Sequence, residues 1–250
     1  MEHQVYQVSF AGRGIPVQFR NPETKPYFGR YLSRSEASAP DVLVSDGDME
    51  RMRRLLAEDM PESYVEYRAL PELISGSLLK DRCCILHGVA FSWLGRAYIL
   101  TAPSGTGKTT QYLNWARLFP GEIEMICGDM PVLEAREDGS VWVHPTSWNG
   151  KENIRGGAAA PLAGIVILRQ GQENTIERVS PRDAIQPILM QFVVRLETRE
   201  QILSLAGLMD QALGSVPLFL FTNMGNDAST MLLRQSLAAE TKDGQRDGRM

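Results

Sequence analysis

The feature that most constrains this chain is a glycine-rich turn between an apolar run and a segment of helical composition. The turn reads Ala-Pro-Ser-Gly-Thr-Gly-Lys-Thr-Thr over residues 102–110. The apolar residues 97–100 before it are predicted to form a strand, and residues 110–119 after it a helix. A strand, a glycine-rich turn ending in Lys-Thr and a helix make up a P-loop, which binds nucleotide phosphates. The alternative is a turn without a ligand, but the flanking elements favour the P-loop.

Each residue type in this turn suits phosphate binding. Gly105 and Gly107 allow backbone geometry that a Cβ would block, so that successive N–H groups can wrap an anion. The helix that follows directs its positive dipole end at the same anion. Lys108 adds a full charge, and the Thr109 hydroxyl is placed to bind Mg²⁺. Ala102 stands where the motif usually has its first glycine. The predicted nucleotide-binding residues are Ser104, Gly105, Thr106, Gly107, Lys108, Thr109 and Thr110.

Length and composition restrict the class of protein. A chain of 250 residues can form one large domain, or a main domain with a small appendage. Its net charge of −4 argues against nucleic acid as a partner. No apolar run approaches the roughly 18–20 residues that span a bilayer, and the N-terminus does not resemble a signal peptide. The three cysteines, Cys83, Cys84 and Cys127, are expected to be buried thiols in a cytoplasmic protein.

The first 80 residues are predicted to form a small α+β region. Residues 4–20 read as two strands joined by a turn, and residues 21–40 as a loop. After a strand at 41–45, Asp46 or Asp48 is predicted to cap a helix over 49–58. A strand at 64–67 and a helix over 71–79, with Pro71 in its first turn, would complete this region.

Residues 81–238 are predicted to form the main α/β domain. Helices are expected at 110–119, within 181–213 and at 227–238. The charged residues 239–250 are predicted to be a disordered tail. The strands of this domain are predicted at 83–92, 97–100, 124–127, 132–134, 141–144, 162–168 and 216–221.

Three further features bear on chemistry. Asp129 follows an apolar run, which places its carboxylate at a strand end near the nucleotide; a plain turn aspartate is the alternative. His87 precedes the P-loop by one hairpin, and a lone histidine among apolar neighbours is more often structural. The loop 151–157 combines two glycines with Glu152 and Arg155. Such a composition is typical of a catalytic loop, and a solvated surface loop is the alternative.

As a set, these motifs resemble the HPr kinase/phosphorylase superfamily. That family has a His-Gly pair before the P-loop, a Ser-Gly-x-Gly-Lys-Ser loop, a later pair of aspartates and a Glu-x-Ile-Arg-Gly signature. The corresponding residues here are His87-Gly88, Ser104–Thr109, Gly128-Asp129 and Glu152-Asn153-Ile154-Arg155-Gly156. The resemblance covers about residues 83–170 and, more weakly, residues 216–238.

The resemblance implies a P-loop kinase core with the fold of ATP-dependent phosphoenolpyruvate carboxykinase, built on a mixed sheet. It implies ATP and Mg²⁺ as cofactors and a serine on a peptide or protein as the acceptor. A small-molecule hydroxyl acceptor is the first alternative, and a nucleotide-binding partner protein without turnover is the second. The family forms hexamers, so the resemblance also implies a homo-oligomer.

The resemblance also implies roles for single residues. Asp129 would accept the proton of the acceptor hydroxyl or bind the metal, and His87 would lie close to the transferred phosphate. Lys108 would bridge the β- and γ-phosphates, and Thr109 would hold the metal. The acceptor side would be completed by Glu152 and Arg155.

The chain departs from the family pattern in three places. Thr109 replaces a serine, which preserves the hydroxyl, and Gly128 replaces the first aspartate of the pair. Residues 1–80 do not match the family's N-terminal domain. Phosphorylase activity, and HPr as the substrate, are therefore not expected.

Overall fold

The computed structural model describes residues 4–57, 59–152, 154 and 156–247. Within these ranges the chain forms a mixed α/β structure with two β-sheets. One is a four-stranded sheet near the N-terminus, and the other is a nine-stranded mixed sheet that carries the glycine-rich turn. Among the described residues, no helix combines the length and apolar character that a membrane crossing requires.

The N-terminal sheet has the strand order β3-β1-β2-β4. Its antiparallel hairpin confirms the two strands predicted over residues 4–20, with Ala11 and Gly12 at positive φ in the turn. The segment predicted as a loop after it contains a 3₁₀ helix, Pro22–Tyr31. The strands are β1 Val5–Phe10, β2 Arg13–Gln18, β3 Leu32–Arg34 and β4 Val42–Leu43.

Two helices follow, and both differ from the prediction. Helix α1, Asp46–Leu55, is capped by Ser45 rather than by Asp46 or Asp48. The Ser45 hydroxyl accepts from the Asp48 amide, and the Asp48 carboxylate accepts from the Ser45 amide, so the two residues form a capping box. Helix α2 is a single helix, Glu62–Leu78, where a strand and a shorter helix were expected.

Helix α2 contains a proline in its interior, which explains the wrong prediction. Pro71 has no N–H, so it cannot bond to the carbonyl four residues earlier, that of Tyr67. The indole Nε1–H of Trp148 donates to that carbonyl instead, at 3.2 Å. A residue 81 positions further along the chain therefore satisfies the carbonyl that would otherwise be left unpaired in the helix.

The nine-stranded sheet is mixed. Strands β7, β11 and β13 are parallel neighbours, β6 runs antiparallel between β7 and β8, and β12 pairs antiparallel with β13. The start of β11 pairs with β10, which continues the sheet to β9 and β5. The strands are β5 Cys83–Ile85, β6 Val89–Trp93, β7 Arg96–Thr101, β8 Ile123–Cys127, β9 Val132–Ala135, β10 Val141–His144, β11 Ala160–Gln170, β12 Thr175–Val179 and β13 Leu218–Asn223.

Helices cover both faces of this sheet. Alternate residues of β7 point to opposite faces, so Ile99 belongs to one buried cluster and Leu100 to another. The first cluster includes residues of α4 and α5, and the second includes residues of α3 and α6. The helices are α3 Lys108–Leu118, α4 Pro181–Leu189, α5 Arg199–Ser215 and α6 Asp227–Asp247.

A third buried cluster joins the two sheets. Phe10 and Phe28, from the N-terminal region, place their rings 5.3 and 5.7 Å from that of Trp148. Residues of β5 and β9 belong to the same cluster. The division into separate regions at residue 80 stays a prediction.

Three details differ from the strands and tail that the sequence suggested. The strand expected over residues 83–92 is split into β5 and β6 by His87 and Gly88. Strand β12 was not predicted. Helix α6 extends to Asp247, past the start of the expected disordered tail at residue 239, and Glu240 in it pairs with Arg178 of β12 at 3.1 Å. Residues 248–250 lie outside the described ranges.

Candidate functional site

The strand directions bring three of the predicted segments to one edge of the sheet. Strands β7 and β8 run the same way, because β6 lies antiparallel between them. The carboxyl end of β7 leads into Ala102, that of β8 leads into Gly128 and Asp129, and His87 and Gly88 precede the start of β6. All three segments therefore lie at one edge, where α/β sheets bind their ligands.

These segments open onto one cavity of about 1460 Å³. Of the predicted site residues that the structure describes, only Thr106 does not line this cavity. Its hydroxyl donates to the Pro103 carbonyl at 2.7 Å and so closes the turn. The predicted residues that line the cavity are Ser104, Gly105, Gly107, Lys108, Thr109, Thr110, His87, Asp129 and Glu152.

The glycine-rich turn has the backbone conformation that anion binding requires. Gly105 and Gly107 have φ values of +80° and +101°, which residues with a Cβ rarely adopt. Helix α3 begins directly after Gly107, so its free N–H groups and dipole face the turn. The Gln170 side chain, at the end of β11, donates to the Gly105 carbonyl at 3.1 Å and supports the turn from the neighbouring strand.

Lys108 is buried under this turn. Its side chain is only 7% exposed, and Nζ donates to the carbonyls of Ala102 at 2.8 Å and Pro103 at 3.2 Å. Burial lowers the pKa of Lys108, and the negative charge of Asp129 partly opposes that shift. The lysine is thus a partly desolvated cation held by neutral carbonyl oxygens, and an anion in the cavity would be a stronger partner.

Among the described residues, two side chains contact the Asp129 carboxylate, neither of them closely. His87 Nε2 lies 3.4 Å from Oδ1, and Arg68 Nη1 lies 3.5 Å from Oδ2. The Asp129 side chain is 19% exposed to the cavity. Both distances exceed those of a short charge-assisted hydrogen bond, so the carboxylate oxygens can still accept from a ligand.

His87 is held in place by Gln191. The His87 amide donates to the Gln191 carbonyl at 2.8 Å, and ring Nδ1 lies 3.1 Å from Gln191 Oε1. Burial lowers the pKa of His87, and the positive charge of Lys108 lowers it further. The hydrogen bond with Gln191 and the negative charge of Asp129, which Nε2 faces, partly oppose this lowering of the pKa. Gln191 follows α4 without any motif, so sequence reasoning had no signal by which to find it.

Gly128 has no room for a side chain. A Cβ built on it would lie 2.3 Å from the carbonyl oxygen of Asn149, which is closer than real Cβ atoms approach. The first aspartate of the family pattern could therefore not occupy this position without displacing the loop around Asn149. The glycine is a packing requirement of this chain as well as a departure from the pattern.

Glu152 lies on the same side of the cavity as Asp129. A Cβ built on Gly150 would lie 3.6 Å from Asp129 Cβ and 3.6 Å from Glu152 Oε2. The structure thus brings Glu152 near the candidate base, in an exposed position on the cavity wall. The other predicted acceptor-side residue, Arg155, lies outside the described residues, as does Asn153.

The N-terminal region supplies the far wall of the cavity. The rings of Tyr27 and Tyr67 stack at 4.7 Å, and both line the cavity together with Tyr64. The 3₁₀ helix that carries Tyr27 is attached to α2 through Glu66, a fully buried carboxylate. That carboxylate accepts from the Arg20 amide at 2.6 Å, the Asn21 amide at 2.9 Å and the Thr24 hydroxyl at 2.6 Å.

Two residues that line the cavity each have a buried polar atom with no partner in the described part of the chain. They are Nε of Arg68 and Oδ1 of Asn149. Buried polar atoms in folded proteins are nearly always hydrogen-bonded, so these two are exceptions at the cavity wall.

The donor set also fits a hard divalent cation bound with a phosphate. The described residues contain no group of three or more His, Cys, Asp or Glu that could hold a metal ion by themselves. Mg²⁺ does not need one, because it commonly keeps several waters and binds to one or two protein oxygens and the substrate phosphates. The Thr109 hydroxyl and the Asp129 carboxylate, both on the cavity, are oxygen ligands of that kind.

Comparisons with known proteins do not show which family this chain belongs to. No protein-family model matches the chain, and no curated protein matches it. Among solved structures, the HPr(Ser) kinase/phosphatase from Coxiella burnetii is similar, with 12% sequence identity and a TM-score of 0.37. The similarity covers 66% of this chain and 98% of that one. Values this low are too weak to assign a family or to transfer an activity.

Proposed function

We propose that this chain is an ATP- and Mg²⁺-dependent kinase with a phosphoenolpyruvate-carboxykinase-like P-loop core. It would transfer the γ-phosphoryl group to a hydroxyl, taken to be a serine on a peptide or protein. The observation that carries the proposal is that Lys108, Asp129 and His87 open onto one cavity at the carboxyl edge of the sheet. If the glycine-rich turn bound no ligand, the position of these three groups on one cavity would have no explanation.

The polyphosphate would bind at the glycine-rich turn. Backbone N–H groups of residues 104–109 and the dipole of α3 would hold the phosphates. Lys108 would exchange its two carbonyl partners for phosphate oxygens, which are stronger acceptors for an ammonium group. Thr109 and Asp129 would hold Mg²⁺, which neutralises the charge on the phosphates when it is bound.

Asp129 would act on the acceptor. Its carboxylate would accept the proton of a hydroxyl that attacks the γ-phosphoryl group, a step worth about 10²–10⁴-fold in rate. His87, with Nε2 3.4 Å from Asp129 Oδ1, would orient that carboxylate. Most of the catalysis would then come from positioning the two substrates and neutralising charge.

The size of the cavity favours a peptide acceptor. Single-ligand pockets typically measure about 300–1,000 Å³, and this cavity has about 1460 Å³. It extends from the P-loop to the tyrosine wall of the N-terminal region, so it has room for a nucleotide and a second, larger substrate. A metabolite acceptor would leave much of this wall without a contact.

A nucleotide-binding protein without turnover is the second candidate. The observation that favours it is the steric exclusion of a second carboxylate at Gly128. Such a protein would bind ATP at the P-loop and phosphorylate nothing.

Incubation with γ-labelled ATP and Mg²⁺ tests the proposal, with a cell peptide fraction and a metabolite fraction supplied separately. We expect label in the peptide fraction, loss of ATP binding in Lys108→Ala, and ATP binding without transfer in Asp129→Asn. Surface variants Lys80→Ala and Asp138→Asn, at exposed positions away from the cavity, are the matched controls.

The outcomes separate the candidates. Label in the metabolite fraction alone would select the small-molecule kinase. ATP binding with no label in either fraction would select the protein without turnover. Unchanged ATP affinity in Lys108→Ala would overturn the P-loop assignment itself.

A further inference from the structure

We propose that Arg68, on α2 of the N-terminal region, is a catalytic residue that binds the transferred phosphoryl group together with Lys108. The inference rests on the proposed function and deepens it. It assigns to residues 1–80 a direct part in the chemistry, beyond shaping the acceptor side.

The position of Arg68 is fixed by the helix that carries it. The residue before it, Tyr67, is 6% exposed, and its carbonyl accepts from Trp148 Nε1 at 3.2 Å. Glu66, one residue earlier, is fully buried and accepts three hydrogen bonds. Anchored on these neighbours, Arg68 projects into the same cavity as the P-loop and leaves 29% of its side chain exposed there.

The hydrogen bonds of Arg68 differ from those of a structural arginine in the same region. Arg51 forms a two-point pair with Glu72 of α2, with N–O distances of 2.8 and 3.1 Å. Arg68 makes one contact of 3.5 Å with Asp129, and its buried Nε has no partner among the described residues. A buried guanidinium N–H without a partner is costly. A phosphate binds an arginine at two points, so a rotation of the Arg68 side chain toward the cavity would give Nε and an Nη an acceptor at once.

The charges around Asp129 favour an anion. Among the described residues, the charged side chains that line the cavity are Arg30, Arg68, Lys108 and Lys151 on the positive side, and Asp129 and Glu152 on the negative side. These cations therefore outnumber the carboxylates by two, inside a cavity where water screens charge less than at the surface. During transfer, negative charge spreads over the oxygens of the phosphoryl group, and fixed cations at that position stabilise the transition state.

The alternative is that Arg68 only attaches α2 to the strand end at Asp129. The two roles predict different defects. A structural link would lower stability when it is removed, and an added small molecule could not replace it. A cation that contacts the phosphoryl group would lower turnover, and free guanidinium could replace it.

The test compares Arg68→Met and Arg68→Lys with the control Arg51→Met, which removes an arginine–α2 pair away from the cavity. The measurements are kcat, the affinities for ATP and ADP, thermal unfolding, and kcat with added guanidinium chloride at low, non-denaturing concentration. We expect kcat of Arg68→Met to fall about 10²–10³-fold, with part of it restored by guanidinium. Arg68→Lys should retain more activity, because it keeps the charge but loses the planar fork.

Binding supplies a second signature. In Arg68→Met the preference for ATP over ADP should decrease, while ADP affinity stays within about threefold of wild type. Arg51→Met should leave kcat and this preference unchanged.

Two outcomes would overturn the assignment. If Arg68→Met keeps the wild-type kcat, Arg68 has no part in catalysis. If Arg68→Met and Arg68→Lys both lose stability and activity, and guanidinium does not restore the activity, Arg68 is a structural link. In both cases wild-type ATP binding and transfer would remain, so the proposed function would stand. A wild-type protein that binds no nucleotide would end both proposals.

Discussion

The indole N–H of Trp148 donates to the carbonyl of Tyr67, the group that Pro71 leaves without a helical partner. The two residues are also stacked, with ring centroids 5.5 Å apart. This one pair connects the loop that contains Asn149 to the helix that carries Arg68. The relative placement of two walls of the cavity therefore depends on it.

We predict that Trp148→Phe destabilises the protein by about 1–3 kcal/mol, because the Tyr67 carbonyl loses its donor and the smaller ring leaves space. In a Pro71→Ala background residue 71 regains an N–H that can bond to the Tyr67 carbonyl. The same substitution should then cost about 1 kcal/mol less. Urea unfolding of the wild type, the two single variants and the double variant measures the coupling between the two sites. Strictly additive costs would mean that Pro71 and Trp148 do not share this carbonyl.

Gly128→Ala should destabilise the protein by at least about 1–3 kcal/mol, since its Cβ would lie 2.3 Å from the Asn149 carbonyl. Gly207→Ala is the matched control, because a Cβ there meets nothing within 4 Å in the middle of α5. The control should stabilise by up to about 1 kcal/mol through helix propensity. Thermal unfolding distinguishes the two. Equal melting temperatures for Gly128→Ala and wild type would contradict the packing argument.

Asp48 should make stability depend on pH in the acid range. Burial alone would raise its pKa, but hydrogen bonds from Arg195 and Ser45 outweigh this and lower the pKa to about 2. Because the folded-state pKa is below the unfolded value of 3.8, the carboxylate stabilises the fold above pH 4. That stabilisation is lost as the pH falls toward 2. Urea unfolding should show a deficit of about 1–2 kcal/mol for Asp48→Asn at pH 7.

The same comparison at lower pH is the check on that assignment. The deficit of Asp48→Asn should shrink steadily between pH 4 and pH 2 as the wild-type carboxylate gains a proton. A deficit that does not change with pH would show that the side chain acts through its shape rather than its charge.

The cysteines should be unreactive in the folded protein. Cys83, Cys84 and Cys127 are each 0% exposed, and burial raises the pKa of Cys83 and of Cys84 to about 12. Thiolate is the reactive form, so a thiol reagent such as DTNB should label none of them quickly at pH 8 and all three after denaturation. Fast labelling of the native protein would contradict this burial.

The conformation of the glycine-rich turn was predictable because each of its properties is local. The positive φ of Gly105 and Gly107 and the start of α3 at Lys108 depend on a few adjacent residues, which the motif fixes. The position of Asp129 on the same cavity as the glycine-rich turn was predictable for a different reason. A polar residue that directly follows an apolar strand usually lies at the carboxyl edge of the sheet, whatever the strand order.

Arg68 and Gln191 could not be found in this way. Both act through contacts across more than 60 positions of the chain, and neither belongs to a recognisable pattern. Arg68 was further hidden by the wrong prediction of a strand at 64–67. That error came from treating Pro71 as a helix start, a rule that fails here because a distant tryptophan satisfies the carbonyl that the proline frees.

Glu66 has a consequence for any attempt to exchange the specificity of this protein. The tyrosine wall is attached to α2 by three donors from residues 20–24, all accepted by one carboxylate that water does not reach. A chimera that takes residues 20–31 from another protein would leave the buried Glu66 carboxylate without hydrogen-bond donors, unless the new segment supplies the same donors. The tyrosine wall and helix α2 would therefore have to be transferred together.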